Sequence, residues 1–256
     1  SKKLFDTLDN CILVPSSDIE NNINTLLQLV GNDEINLVLN NFQTSTHLYD
    51  NKNFVDYINK SILNTAKVLK FLIDKNITIK KLIYTSSSSV YGNNKFCSES
   101  DQTRPMSLQA ALKLSNEELI KRICNEHKIN FSISRIFNMY GGEDKFSVIS
   151  KLQDSYLNKN MLNIINDGKS IRDYIHIDDV SNIYRYLLNK VEKLPIILNI
   201  ASGKGTSVAS MLSSLKDNGI IIHKNNISRS EISASIADVE LLNTIIDTET
   251  FLDVKD

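Results

Sequence analysis

The chain is short of the residues that punctuate or staple a fold. Its 256 residues hold three prolines, eight glycines, three cysteines and no tryptophan. Cys11, Cys97 and Cys124 form no Cys-x-x-Cys pair and no even framework, which excludes a disulfide scaffold and a structural zinc site. That usage points to a reducing, cytoplasmic setting. No His, Cys or Asp cluster has metal-ligand spacing, so no metal is expected. Net charge is almost absent as well. The 29 basic and 30 acidic side chains leave a formal charge of −1, and with no long basic block nucleic acid is excluded as a partner. No apolar run reaches the roughly 18 residues of a membrane span. The first residues, Ser1-Lys2-Lys3-Leu4-Phe5-Asp6, lack the apolar core of a signal peptide.

What remains is an ordinary globular composition, 41% hydrophobic and 23% charged, without repeats or low-complexity tracts. Short apolar runs predict strands at Cys11–Val14, Ile35–Asn40, Leu82–Thr85, Phe131–Ile136 and Ile196–Ile200. Between them, apolar residues recur every three or four positions over Phe54–Ile73, Leu108–Ile123 and Val180–Leu188, which predicts helices. Short, almost continuously apolar strands alternating with helices read as a doubly wound parallel α/β sheet. We therefore expect a nucleotide-binding domain over residues 1–138 and a smaller substrate lobe over 139–256. Residues from about 171 to 201 are expected to pack back on the sheet.

Ligands of open α/β sheets lie beyond the carboxyl ends of the strands. One strand is followed there by Ser86-Ser87-x-x-Val90-Tyr91-Gly92. Another carries Arg135-x-Phe137-Asn138-x-Tyr140-Gly141. Further on come Asp167-Gly168-x-x-x-Arg172-Asp173-Tyr174-Ile175-His176-Ile177-Asp178-Asp179-Val180 and Asn199-Ile200-Ala201-Ser202-Gly203. In this order the strings resemble the NAD-dependent epimerase/dehydratase family of extended short-chain dehydrogenases, most of all its nucleotide-sugar 4-epimerases. The resemblance implies a Rossmann domain holding NAD, a C-terminal lobe holding a nucleoside-diphosphate sugar, and a homodimer built by pairing two helices, here about Phe54–Ile73 and Leu108–His127.

Carried over residue by residue, the resemblance places the catalytic hydroxyl at Ser87 and the lysine of Tyr-x-x-x-Lys at Lys113, where it would reach the nicotinamide ribose. Gln109 occupies the tyrosine position. An amide has no proton equilibrium near neutral pH, and loss of a general base costs about 10²–10⁴-fold in rate. Ser88-Ser89 stand where the dehydratases have an Asp-Glu pair, which disfavours dehydration. Asp18 and Ile19 look like the adenine-contacting pair. Three features depart from the cofactor pattern. Gly31 is the one glycine before Gly92, so no Gly-rich loop is present and the sheet is expected to lack its first βα unit. Phe42 and Gln43 stand at the end of a strand where the family has small residues. Ser61-Ile62-Leu63-Asn64-Thr65 replaces Asn-x-x-Gly-Thr.

On the substrate side the resemblance assigns Asn138, Arg172 and Arg229 to the sugar nucleotide, the two arginines clasping its diphosphate by charge-assisted hydrogen bonds. His176 and Asp179 read as structural residues at a helix start. Two functions follow: a nucleotide-sugar epimerase of the 4-epimerase type whose proton acceptor is replaced, or a catalytically silent nucleotide-sugar-binding homologue with a regulatory or scaffolding role.

Overall fold

A computed structural model describes residues 11–31, 34–40 and 54–254 of the chain. In chain order the elements are α1 (Ser16–Asn21), α2 (Thr25–Val30), β1 (Ile35–Leu39), α3 (Phe54–Ile58), α4 (Asn64–Asp74), β2 (Ile79–Ser87), β3 (Phe96–Cys97), α5 (Leu108–Glu126), β4 (Asn130–Ile136) and β5 (Asn138–Tyr140). There follow α6 (Val148–Asn158), β6 (Leu162–Ile165), β7 (Ile171–His176), α7 (Ile177–Asn189), β8 (Ile197–Ile200), β9 (Gly205–Ser207), α8 (Val208–Asp217), β10 (Lys224–Ile227), β11 (Ala234–Ala237) and α9 (Glu240–Asn243). The chain divides into two compact units. One gathers the residues up to Val90, Pro105–Arg135 and Ser181–Leu198; the other gathers Tyr91–Arg104, Ile136–Val180 and Asn199 onward.

The first unit is built on a four-stranded sheet of order β1-β2-β4-β8. β1 runs parallel to β2, with Leu37 opposite Leu82. β2 is buried on both faces, and Leu82, Ile83 and Tyr84 are inaccessible, as its unbroken apolar run requires. Leu69 and Leu72 of α4, Ile120 of α5 and Ile133 of β4 complete the core with Leu82. One buried lysine has a clear reason. Lys81 donates to the carbonyls of Leu187 and Leu188 at 3.1 and 2.6 Å, closing the last turn of α7 where unpaired carbonyls collect.

Two expectations are corrected. Cys11–Val14 forms no strand: it leads irregularly through Pro15 into α1, and Ile12 and Leu13 stay about half exposed. A residue before proline is extended by sterics alone, and this run has no ladder partner among the described residues. The helix expected over Phe54–Ile73 is interrupted by a π turn at Asn59–Leu63. The Ser61 carbonyl there accepts from Thr65 Oγ1 at 2.8 Å and Asn116 Nδ2 at 3.2 Å. Side-chain donors competing for a helix carbonyl stabilise such a widened turn. Phe42 and Gln43 lie outside the described residues.

The second unit holds the strands β3-β11-β7-β5, with β9 antiparallel on β7, and a parallel pair of β10 and β6. Its core joins Tyr140, Leu152, Leu162, Ile164, Tyr174 and Met211. His176 closes β7 edge-on to Tyr140, with ring centroids 5.1 Å apart. Gly141 lies against it: a Cβ there would stand 2.2 Å from His176 Nε2.

Candidate functional site

In the first unit, polar residues collect where β2 leaves the core. Tyr84 is the last large side chain of the strand, and Thr85, Ser86 and Ser87 follow it. Helix α5 packs alongside. It begins at Ser107, whose Oγ accepts from the Ala110 amide at 3.2 Å, a regular N-cap. Gln109, Lys113 and Glu117 then recur every fourth residue, which places them on one helix face.

Lys113 is buried, and its Nζ donates to the Thr85 carbonyl at 2.7 Å and lies 5.1 Å from the centre of the Tyr84 ring. Burial lowers its pKa to about 8, opposed by the charge of Glu117. Glu117 is fully buried. It takes a hydrogen bond from Ser86 Oγ at 2.5 Å and a fork from Arg135, with Nε at 3.1 Å and Nη2 at 2.7 Å. Thr85 Oγ1 is 2.8 Å from the Tyr184 hydroxyl. Ser87 is half-buried, and its Oγ accepts from the Ser89 amide at 3.2 Å and from Ser89 Oγ at 3.0 Å. Gln109 is half-buried one turn before Lys113. The structure thus brings Ser87, Gln109 and Lys113 to one strand end and its flanking helix.

Asp18 and Ile19 lie on the short helix α1. Ile19 packs against the core of Leu26, Val68 and Leu69, and the exposed Asp18 carboxylate accepts from Ser17 Oγ at 3.3 Å. Asp18 does not cap its helix, which starts at Pro15 without a side-chain cap.

In the second unit, Asn138 opens β5 and its Nδ2 donates to the Asp173 carbonyl at 2.8 Å. Arg172, next along β7, pairs with Glu231 at 3.3 Å and donates to the Ile171 carbonyl at 2.9 Å. Asn166 reaches the Arg229 backbone in both directions: Nδ2 donates to its carbonyl at 2.5 Å, and Oδ1 accepts from its amide at 3.2 Å. Asn166 Nδ2 also lies 3.3 Å from Glu231 Oε1. Arg172 and the backbone of Arg229 therefore share one neighbourhood through Glu231 and Asn166. His176 Nδ1 accepts from the Asp178 amide at 3.3 Å, and Asp179 accepts from the Leu252 amide at 3.1 Å.

Beyond Lys81, three buried charges among the described residues were not singled out from sequence. Glu117 and Arg135 are the first two. The third, Asp173, is fully buried and accepts from Ser202 N, Ser202 Oγ, Gly203 N and Ala237 N at 2.8–3.2 Å. Burial raises its pKa to about 6 against those four bonds. A signal existed for Arg135, the one charged residue of the strand Asn130–Ile136. Among the described residues, no three His, Cys, Asp or Glu side chains gather as a metal site, and no helix is long and apolar enough to cross a membrane.

A family model, that of the NAD dependent epimerase/dehydratase family, matches residues 17–201. The chain belongs to this family. Relatives within the epimerase/dehydratase family include the ADP-L-glycero-D-manno-heptose-6-epimerase of Brachyspira hyodysenteriae, 26% identical over 211 residues, covering 77% of this chain and 63% of the relative. The UDP-glucose 4-epimerase of Homo sapiens is 27% identical over 187 residues, covering 63% of this chain and 53% of the relative. The chain thus spans between half and two thirds of the length of these curated relatives. Among solved structures, the UDP-glucuronic acid 4-epimerase from Bacillus cereus, in complex with UDP-glucuronic acid and NAD, superposes with a TM-score of 0.79 at 26% identity. That match covers 93% of this chain and 76% of the other.

Proposed function

We propose that the protein acts on a nucleoside-diphosphate sugar as a 4-epimerase-type member of its family, with NAD as hydride carrier and Gln109 in place of the proton acceptor. The observation that carries this reading is the end of β2, where Lys113 is fixed on the Thr85 carbonyl two residues before Ser87, with Gln109 one helical turn before Lys113. The silent-homologue alternative has no comparable observation in its favour.

The residues fit NAD at its nicotinamide end, where Lys113 and Ser87 present an ammonium and a hydroxyl at the strand terminus. The described residues supply no matching cradle for its pyrophosphate: Gly31 closes α2 rather than opening a helix after a strand. Bound NAD would supply the acceptor for a hydride from the sugar carbon and the donor for its return. The hydroxyl proton released in the oxidation would pass to solvent and come back from it, because neither Ser87 nor Gln109 takes up a proton near neutral pH. The chain's own groups orient the sugar. Ser87 hydrogen-bonds the reacting hydroxyl. Gln109 offers an amide that donates or accepts but takes up no proton near neutral pH. In the second unit, Arg172 and Arg229 supply the charge that a diphosphate requires, and Asn138, bonded to the carbonyl of Asp173, supplies an amide. Exposed apolar residues on the two candidate dimer helices (Phe54, Val55, Ile58 and Leu108) support a homodimer. The three cysteines, all free, support a reducing, cytoplasmic setting.

Thermal shift with UDP-glucose, UDP-glucuronic acid and NAD, each alone, tests the binding. A nucleotide sugar is expected to raise Tm in the wild type and to lose that effect in Arg172→Ala. Turnover followed by proton NMR is expected to be slow, and to rise about 10²-fold in Gln109→Tyr. Absence of stabilisation by every nucleotide sugar would reject the proposal.

A further inference from the structure

The Glu117–Arg135 pair is almost wholly enclosed, with side-chain exposures of 0% and 2%. A buried ion pair roughly breaks even against apolar residues of the same volume, so its presence is poorly explained by stability alone. What distinguishes this pair is where its bonds go. Glu117 reaches β2 through Ser86 and β4 through Arg135, and it belongs to the helix that carries Gln109 and Lys113. The carboxylate therefore links the carboxyl ends of two neighbouring strands to the helix face that flanks them. Ser86 immediately precedes Ser87, so the direction in which the Ser87 hydroxyl leaves the strand is set by how Ser86 is held.

We propose that Glu117 is the positioning residue of this site, holding Ser86 so that Ser87 is correctly aimed and holding the charge of Lys113 against the Thr85 carbonyl. The role in turnover rests on the epimerase reading above; the role in holding Ser87 and Lys113 does not. Among the described residues, the charged and titratable groups facing Lys113 include Tyr84 from β2, Glu117 from its own helix and, through Glu117, Arg135 from β4. Removing the Glu117 charge takes away an attraction that favours the protonated amine.

The test is Glu117→Gln. Heteronuclear NMR of the lysine Cε and Nζ is expected to show the Lys113 titration midpoint falling by about one pH unit, with Glu117→Asp restoring most of it. Turnover is expected to fall about tenfold in kcat with KM for the nucleotide sugar within about twofold, as for a displaced reacting group. A variant that only melts earlier, with the Lys113 midpoint unmoved, would overturn the proposal. If the wild type shows no turnover, the epimerase reading fails and the titration still decides the role of Glu117. If Glu117→Gln does not fold, Ser86→Ala replaces it, because it keeps the ion pair and removes only the link to β2. Hydrogen exchange at the Ser89 amide, which is bonded to Ser87 Oγ, is then expected to quicken about tenfold; an unchanged rate would equally overturn the assignment.

Discussion

Asp173 shows how much one side chain can organise. Its two oxygens take four hydrogen bonds from a loop and a strand far away in sequence, so the charge is solvated by the protein itself. Asp173→Asn keeps one acceptor oxygen and turns the other position into a donor facing donors. Each buried donor left unpaired costs about 1–3 kcal/mol, and a loss of about 2–4 kcal/mol is expected in urea unfolding at pH 7. The pH dependence has a definite sign. The folded pKa, pushed up to about 6 by burial, lies above the usual value of about 3.9 for an unfolded aspartate. Between those values the folded state binds more protons, so the Asp173 contribution to stability declines as pH rises from about 4 to 6 and is constant above. Comparing unfolding free energies of wild type and Asp173→Asn across that range is expected to show the slope in the wild type only. Lys113 has the opposite trend. With its folded pKa lowered to about 8 against about 10.4 unfolded, its contribution grows as pH rises between the two.

At the scale of elements, local signals and distant ones separate cleanly. The four strands of the first sheet are legible because each carries Ile, Leu, Val or Phe within a short span that follows a helical segment. The start of α5 is legible too, since Ser107 precedes the helical period. Ser107→Ala is expected to lower stability by about 1 kcal/mol, read as a shift in the urea midpoint with unchanged slope. Gly92 makes a sharper prediction. Its φ is +67°, and a Cβ there would fall 2.1 Å from the Arg104 carbonyl oxygen. Gly92→Ala therefore meets both backbone strain and a contact that only backbone movement relieves, for an expected loss of about 1–3 kcal/mol. The π turn at Asn59–Leu63 gave no such warning. It depends on Asn116, 55 positions from Ser61, and periodicity within one helix carries no trace of a donor on another. The same holds for Asp173 and for the Glu117–Arg135 pair, whose meaning lies in tertiary partners. Of the site itself, the residue types were legible at Ser87, Gln109 and Lys113, whereas the hydrogen bonds that hold them were not.

For the whole molecule, the decisive feature is that neither compact unit is a continuous stretch of chain. A boundary at residue 138 looks natural in the sequence, because the regular alternation of strands and helices ends there. The first unit also depends on Ser181–Leu198, within the stretch from about 171 to 201 that the sequence reading expects to pack back on the sheet. Tyr184 meets Thr85, Lys81 closes the helix end at Leu187 and Leu188, and the Ile133 amide donates to the Ile196 carbonyl at 2.9 Å. That returning segment contributes Ile183, Tyr184, Leu187, Leu188, Leu194 and Leu198, all buried. At about 1.5–3 kcal/mol for each large buried side chain, their removal rivals the 5–15 kcal/mol by which a typical domain is stable. It would also leave Lys81 and the edge of β4 without partners. A fragment ending at residue 138 is therefore expected not to fold. Its near-ultraviolet circular dichroism should be flat and its amide proton spectrum collapsed. The same fragment supplemented in trans with residues 177–200 should regain dispersion, because the missing strand and helix then return to the positions that β4 and Lys81 hold open. A well-dispersed spectrum from the 138-residue fragment alone would show that the returning segment is dispensable and would refute this dependence.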